Sequence, residues 1–175
     1  MPTVVIADPS LVLLVGAAGS GKSTLASRLF APDEIVSSDA LRAVVSGDEA
    51  DQTVSGVAFR ILHRTVDRRL AAGRLIVVDA TNAVATVRRP LLGRARAYGV
   101  PTTAIVLDID ADIVRAQNAA RPRIVDPEVV DRHLAAIRET VDRDRLQAEG
   151  VDQVVVVRDP VEAAALVVDR RASYT

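Results

Sequence analysis

The residues able to do chemistry cluster in a few short segments. Residues 16–24 read GAAGSGKST, and Gly16, Gly21, Lys22 and Ser23 fit the spacing G-x-x-x-x-G-K-[ST]. The segment follows an apolar run and opens a helix-like stretch, the context in which that spacing grips nucleotide phosphates. Gly16, Gly19 and Gly21 let the backbone curl, so that N–H groups of the loop (Ala17, Ala18, Ser20) converge on phosphate oxygens. The helix that starts with Lys22, Ser23 and Thr24 adds the partial positive charge of its N-terminus. Lys22 is expected to bridge the β- and γ-phosphates of ATP, with other triphosphates also possible, and the Ser23 hydroxyl to hold Mg²⁺. Of 22 basic residues, 21 are Arg and one, Lys22, is Lys. One reading of the Arg excess is a genome that favours Arg codons. The surviving Lys fits a site needing a compact point charge rather than a planar fork.

A phosphate grip raises the question of an acceptor. Residues 35–42 read IVSSDALR at the end of a second apolar run. In an open parallel sheet, ligands gather beyond the carboxyl ends of the strands, which places Asp39 beside the phosphate loop. A carboxylate there can take the proton of an attacking hydroxyl or approach the metal. Arg42, one turn on, could hold an anionic group of the acceptor. Asp39 and Ser38 are also rival candidates for a plain helix N-cap. Asp79 ends a third run in VVDATN, where it could bind the Mg²⁺ shell, orient an Arg, or merely stop a strand. The segment RAQNAARPR, 115–123, reads as a lid spanning roughly 115–130. Arg121 and Arg123 would close on the triphosphate, against the competing reading of a solvated helix end. Arg158, after the last apolar run, could touch the adenine. His63 and His133 read as surface or packing residues. Arg68, Arg69, Arg88 and Arg89 read as solvated faces, the latter two with some reach toward acceptor phosphates.

These residues need strands and helices to place them. Apolar runs at 11–15, 34–37, 75–78, 103–107 and 153–157 read as strands. Helical spacing covers 22–30, 39–45, 54 to about 73, 87–98, 111–121, 127 to about 149, and 161–172. Strands that are nearly all apolar and alternate with helices predict an α/β fold, a parallel sheet covered on both faces. Residues 1–10 suggest only a short edge piece. One domain over 1–175 is expected.

Composition narrows the partners. Aromatics are 2% and net charge is −1, which argues against a long base-stacking or basic track on nucleic acid. A few phosphate contacts remain allowed. The absence of Cys excludes disulfide, thiol and Cys-ligated zinc chemistry. No apolar run approaches membrane-spanning length, and a soluble cytoplasmic protein without membrane contact is expected.

GAAGSGKST at 16–24, EIVSSDALRAVVSGDEADQT at 34–53 and RLIVVDATN at 74–82 together resemble the 5′-kinase domain of bacterial polynucleotide kinase–phosphatase, an RNA end-repair family. The middle stretch carries most of the specificity. The resemblance implies a three-layer P-loop kinase fold with a mostly parallel sheet of about five strands and a helical lid. It implies transfer of the ATP γ-phosphate to the 5′-OH of RNA or DNA with Mg²⁺ or Mn²⁺. Lys22 and Ser23 would serve the triphosphate and metal, Asp39 would be the general base, Arg42 an acceptor or phosphate contact, and Arg121 and Arg123 lid residues. The family usually has Arg just before the position of Asn118. This chain has Gln117, leaving Arg115 or Arg121 as the substitute. Family proteins continue into phosphatase and ligase modules, so fusion to or partnership with such modules is implied. A small-molecule kinase of the same architecture and a non-catalytic nucleotide-binding module remain alternatives.

Overall fold

The computed structural model describes residues 2–48 and 52–172. The stretch at 49–51 quoted above lies outside them. Five of the apolar runs pair, as expected, into one all-parallel sheet. Its strands are β2 (Leu11–Val15), β3 (Ile35–Ser37), β4 (Ile76–Asp79), β5 (Thr102–Leu107) and β6 (Gln153–Val157), in the spatial order β3-β4-β2-β5-β6. Every residue of β2, β4 and β5 is buried, which is why these strands read as unbroken apolar runs rather than alternating ones. Helices α1 (Lys22–Leu29), α2 (Ser38–Ser46), α3 (Ser55–Ala71), α4 (Ala85–Ala97), α5 (Ala111–Ala119) and α6 (Pro127–Asp142) flank the sheet. The architecture is that of a P-loop kinase.

Register sets the site. Leu14 of β2 lies opposite Asp79 of β4, and Asp79 lies opposite Ser37 of β3. The ends of three adjacent strands therefore bring the phosphate loop, Asp79 and the start of α2 to one edge of the sheet.

Three expectations are corrected. The stretch 161–172 is not one helix. A short helix, Pro160–Ala165, gives way to a strand, Val167–Ala172, that pairs in parallel with Thr3–Asp8 in a separate two-stranded sheet. The N-terminal strand buries Val4 and Ile6, and Arg28 donates to the carbonyl of Leu166 at 2.9 Å, where the chain turns extended. Local spacing at 161–172 fits a helix, but a partner more than 150 residues away decides otherwise. The long helix after Pro127 also breaks. Asp144 takes φ 47°, and the chain resumes as a single turn, α7 (Arg145–Ala148). Finally, Arg88 is no surface residue. It is 1% exposed, donating to the carbonyl of Asn82 at 2.7 Å and through Nε to Glu149 at 2.8 Å.

Candidate active site

The phosphate loop is shaped by its glycines. Gly21 precedes α1 with φ 91°, no side chain caps the helix, and its first turn has no acidic residue, so its N-terminus is left positive. Gly19 has φ 87°, and a Cβ there would lie 2.8 Å from the Val114 carbonyl oxygen and 2.9 Å from the Asn118 nitrogen. The loop therefore sits directly on α5, the helix that leads into the lid. Lys22 Nζ donates to the carbonyls of Gly16 and Ala17 at 2.7 and 2.8 Å, folded back on the loop. Burial of the ammonium pushes its pKa down to about 8. The nearby Arg121 adds to that shift and Asp79 opposes it. Ser23 Oγ donates to Asp79 Oδ2 at 2.7 Å across the register described above.

A hollow of about 250 Å³ opens over this loop. Gly19, Gly21, Lys22, Ser23, Asp79 and Arg121 contribute to its lining, with Ala18, Thr24 and Gln117. Gly16, Ala17 and Ser20 lie beneath and give the loop its shape, Ala17 and Ser20 being buried. Arg158 stands apart, paired with Asp108 at 2.8 Å beyond the end of β6. The Ser23 hydroxyl and the Asp79 carboxylate form a hard-oxygen pair at the loop. That set suits Mg²⁺, which takes one or two protein oxygens and completes its shell with phosphate oxygens and water.

The Asp39 carboxylate is not the cap of α2. Ser37 Oγ accepts from the Ala40 N–H at 3.3 Å, displacing both residues expected for that role. The Asp39 carboxylate lines the phosphate hollow and also a second chamber of about 530 Å³. One of its oxygens is bonded by Arg42, which is 7% exposed, and the other by Arg123 at 3.1 Å. A metal ion at Asp39 would have to share or compete for oxygens that these two guanidinium groups already contact. The lid segment thus serves two spaces, with Arg121 lining the phosphate hollow and Arg123 lining the second chamber. Gln117 lines the hollow over the loop, whereas Arg115 pairs with Asp112 and Asp131 outside its lining. Of Arg115 and Arg121, it is Arg121 that lines the hollow.

The second chamber lies between α3, the residues after β4, and α6. Its wall is mixed, with Phe59, Val84, Val87, Val125 and Val129 on the apolar side and Asp39, Arg42, Asn82, Arg123 and His133 among the polar residues.

The family model for the AAA domain matches residues 11–143, from the first strand of the main sheet to the end of α6. The chain belongs to that family. No curated protein matches it. Among solved structures, a chain of the Pnkp1/Rnl/Hen1 RNA repair complex superposes with a TM-score of 0.68 at 19% identity, covering 79% of this chain. This chain spans only 47% of that one. A putative kinase from Chloroflexus aurantiacus J-10-fl gives a TM-score of 0.58 at 22% identity, covering 86% of this chain and 88% of its own. A gluconokinase from Sinorhizobium meliloti 1021 gives 0.53 at 16% identity, covering 91% and 92%. Identities this low speak for the fold. Among the described residues no helix is long and apolar enough to cross a membrane.

Three residues gain positions that spacing alone did not assign. Asn118 is 3% exposed and pins the lid turn at both ends. Its Nδ2 donates to the Val125 carbonyl at 2.7 Å, and its Oδ1 accepts from the Val125 N–H at 3.1 Å. Asn82 adopts φ 48° and donates to the Leu14 carbonyl at 2.8 Å. It also lines the second chamber. His133 is half-buried and lines that chamber. Burial first, then the charges of Lys22 and Arg132, lower its pKa, so it stands neutral. The DATN run pointed to Asn82 without a role, and nothing in the helical spacing marked His133.

Proposed function

We propose that the protein is an ATP-dependent polynucleotide 5′-hydroxyl kinase. The observation that carries this is the position of Asp39, whose carboxylate is shared between a phosphate hollow and an acceptor-sized chamber. Lys22 and the uncapped start of α1 hold the triphosphate, with Ser23 and Asp79 as the residues for Mg²⁺ or Mn²⁺, which when bound neutralises phosphate charge. Asp39 accepts the proton of the 5′-OH as that oxygen attacks the γ-phosphorus. The bond from the γ-phosphorus to the β,γ-bridging oxygen breaks, and ADP leaves. Arg121 stabilises charge on the transferring group. Before the acceptor arrives, Arg42 and Arg123 hold both oxygens of the base. A phosphate next to the 5′-OH competes for these guanidinium groups and frees the carboxylate. The same module would act in partnership with, or fused to, phosphatase and ligase activities.

The apolar part of the chamber's wall (Phe59, Val84, Val87, Val125, Val129) suits the face of a nucleobase, and Arg42 and Arg123 suit a phosphate next to the 5′-OH. The polar residues of the same wall favour a second reading, a small-molecule kinase acting on a sugar, nucleoside or antibiotic hydroxyl. Incubation with γ-labelled ATP and 5′-OH oligonucleotides, nucleoside 3′-monophosphates, nucleosides and sugars separates the two. A nucleoside 3′-monophosphate should be phosphorylated and the plain nucleoside poorly so, and Arg42→Ala should erase most of that difference. Equal rates on a nucleoside and an oligonucleotide, both equally affected by Arg42→Ala, would give the small-molecule reading its place.

A further inference from the structure

Net charge of −1 conceals a local concentration of arginines on the far flank of α4. Two adjoining hollows, about 500 and 350 Å³, share Arg89, Ala148 and Glu149. The first is also lined by Arg143 and Arg145, the second by Arg96. Arg89 and Arg96 are exposed, and neither has an ion-pair partner among the described residues. Arg143 and Arg145 share one carboxylate, Glu139, at 3.4 and 2.7 Å. Among the described residues Glu149 is the only acid lining either hollow, and it is engaged by the buried Arg88. The groove is thus distinctly cationic, with guanidinium groups suited to phosphate.

Its position connects it to the acceptor chamber. Val84 and Val87 line the chamber, whereas Ala85 and Arg89 line the groove, so the first turns of α4 separate the two. That helix start has no side-chain cap and no acidic residue in its first turn, which leaves a positive end at the crossing.

We propose that this groove binds backbone phosphates of the acceptor strand beyond its reacting end. The inference rests on the polynucleotide reading and extends the few phosphate contacts that the composition allows beyond the reacting end. The terminal nucleotide occupies the chamber, the strand crosses the start of α4, and later phosphates meet Arg89, Arg96, Arg143 and Arg145.

The test compares a 5′-OH dinucleotide with a 12-mer single strand across salt concentration, in the wild type and in Arg89→Glu/Arg96→Glu. The wild type should favour the 12-mer in kcat/KM by on the order of tenfold at low salt, through KM, with an advantage that fades as salt rises. The double variant should lose that advantage and shed about 1.4 from the log–log salt slope, at about 0.7 per single-strand phosphate. Its dinucleotide turnover should be unchanged, which also shows that it folds. Arg89→Lys/Arg96→Lys should retain most of the length effect. Equal rates on both lengths in the wild type, or a length effect that survives charge reversal, would overturn the proposal. If no polynucleotide is phosphorylated, anisotropy of a labelled 12-mer decides separately. Binding lost on charge reversal upholds the groove while the kinase reading falls. Absent binding, or capture of phosphatidylglycerol vesicles in preference to the strand, overturns the groove.

Discussion

Nucleotide binding should consume a proton at alkaline pH, and the proton should belong to Lys22. In the empty site burial pushes the Lys22 ammonium down to about 8, its nitrogen turned onto two loop carbonyls. Triphosphate oxygens around the same nitrogen favour the charged form strongly, so the bound site stays protonated. With a free-state pKa of about 8, the share already protonated is about 90% at pH 7 and about 10% at pH 9. Binding at pH 9 must then recruit about 0.9 proton, and affinity should fall about tenfold from its value at pH 7, about 1.4 kcal/mol. The sign follows from the direction of the shift. Binding favours the protonated form, so affinity is full below the free-state pKa and declines as pH rises through it. ATP's own terminal ionisation falls toward the neutral end of this range, so the step from pH 8 to pH 9 reads Lys22. The lowered pKa of His133 lies below this window. Calorimetric titration of ATP at pH 7, 8 and 9, in buffers of different ionisation enthalpy, reads both affinity and proton uptake. Lys22→Arg should flatten the pH dependence because a guanidinium stays charged throughout. The same variant should transfer phosphate poorly, since a planar fork fits badly where a point charge is needed. Flat affinity and no proton uptake at pH 9 in the wild type would refute the reasoning.

Asp39→Asn keeps the shape but cannot take a proton, so single-turnover transfer should fall by about 10²–10⁴ with ATP affinity unchanged. Parallel collapse of nucleotide binding in titration would make Asp39 a nucleotide or metal ligand instead. Gly19→Ala places a methyl against Val114 and Asn118 at φ 87°, with a strain of about 1–3 kcal/mol. Its melting temperature should drop, and its nucleotide affinity with it, because the loop would lift from α5. Arg88→Met leaves Glu149 without its guanidinium partner and should cost about 3–5 kcal/mol in urea denaturation. Adding Glu149→Gln should recover part of that loss.

The sheet and the phosphate loop were legible in the sequence because their determinants are local. Unbroken apolar runs mark buried parallel strands, and the loop's glycines, Lys22 and Ser23 are consecutive in chain and in chemistry. What escaped was set by partners far along the chain. The strand at Val167–Ala172 exists because Thr3–Asp8 lies beside it. Arg88 reads as a surface charge on α4 until Glu149, 61 residues on, is brought to it by the break at Asp144. Asp39 shows the same limit inside the site. Its place beyond a strand end follows from topology, and Arg42 on its own helix could be anticipated. Its second guanidinium comes from Arg123, and that contact depends on the Asn118 strap drawing the lid turn closed. A side chain's type and local position state what it can do. Whether a carboxylate is held, shared between two spaces or left open is decided by which distant segment the fold lays against it.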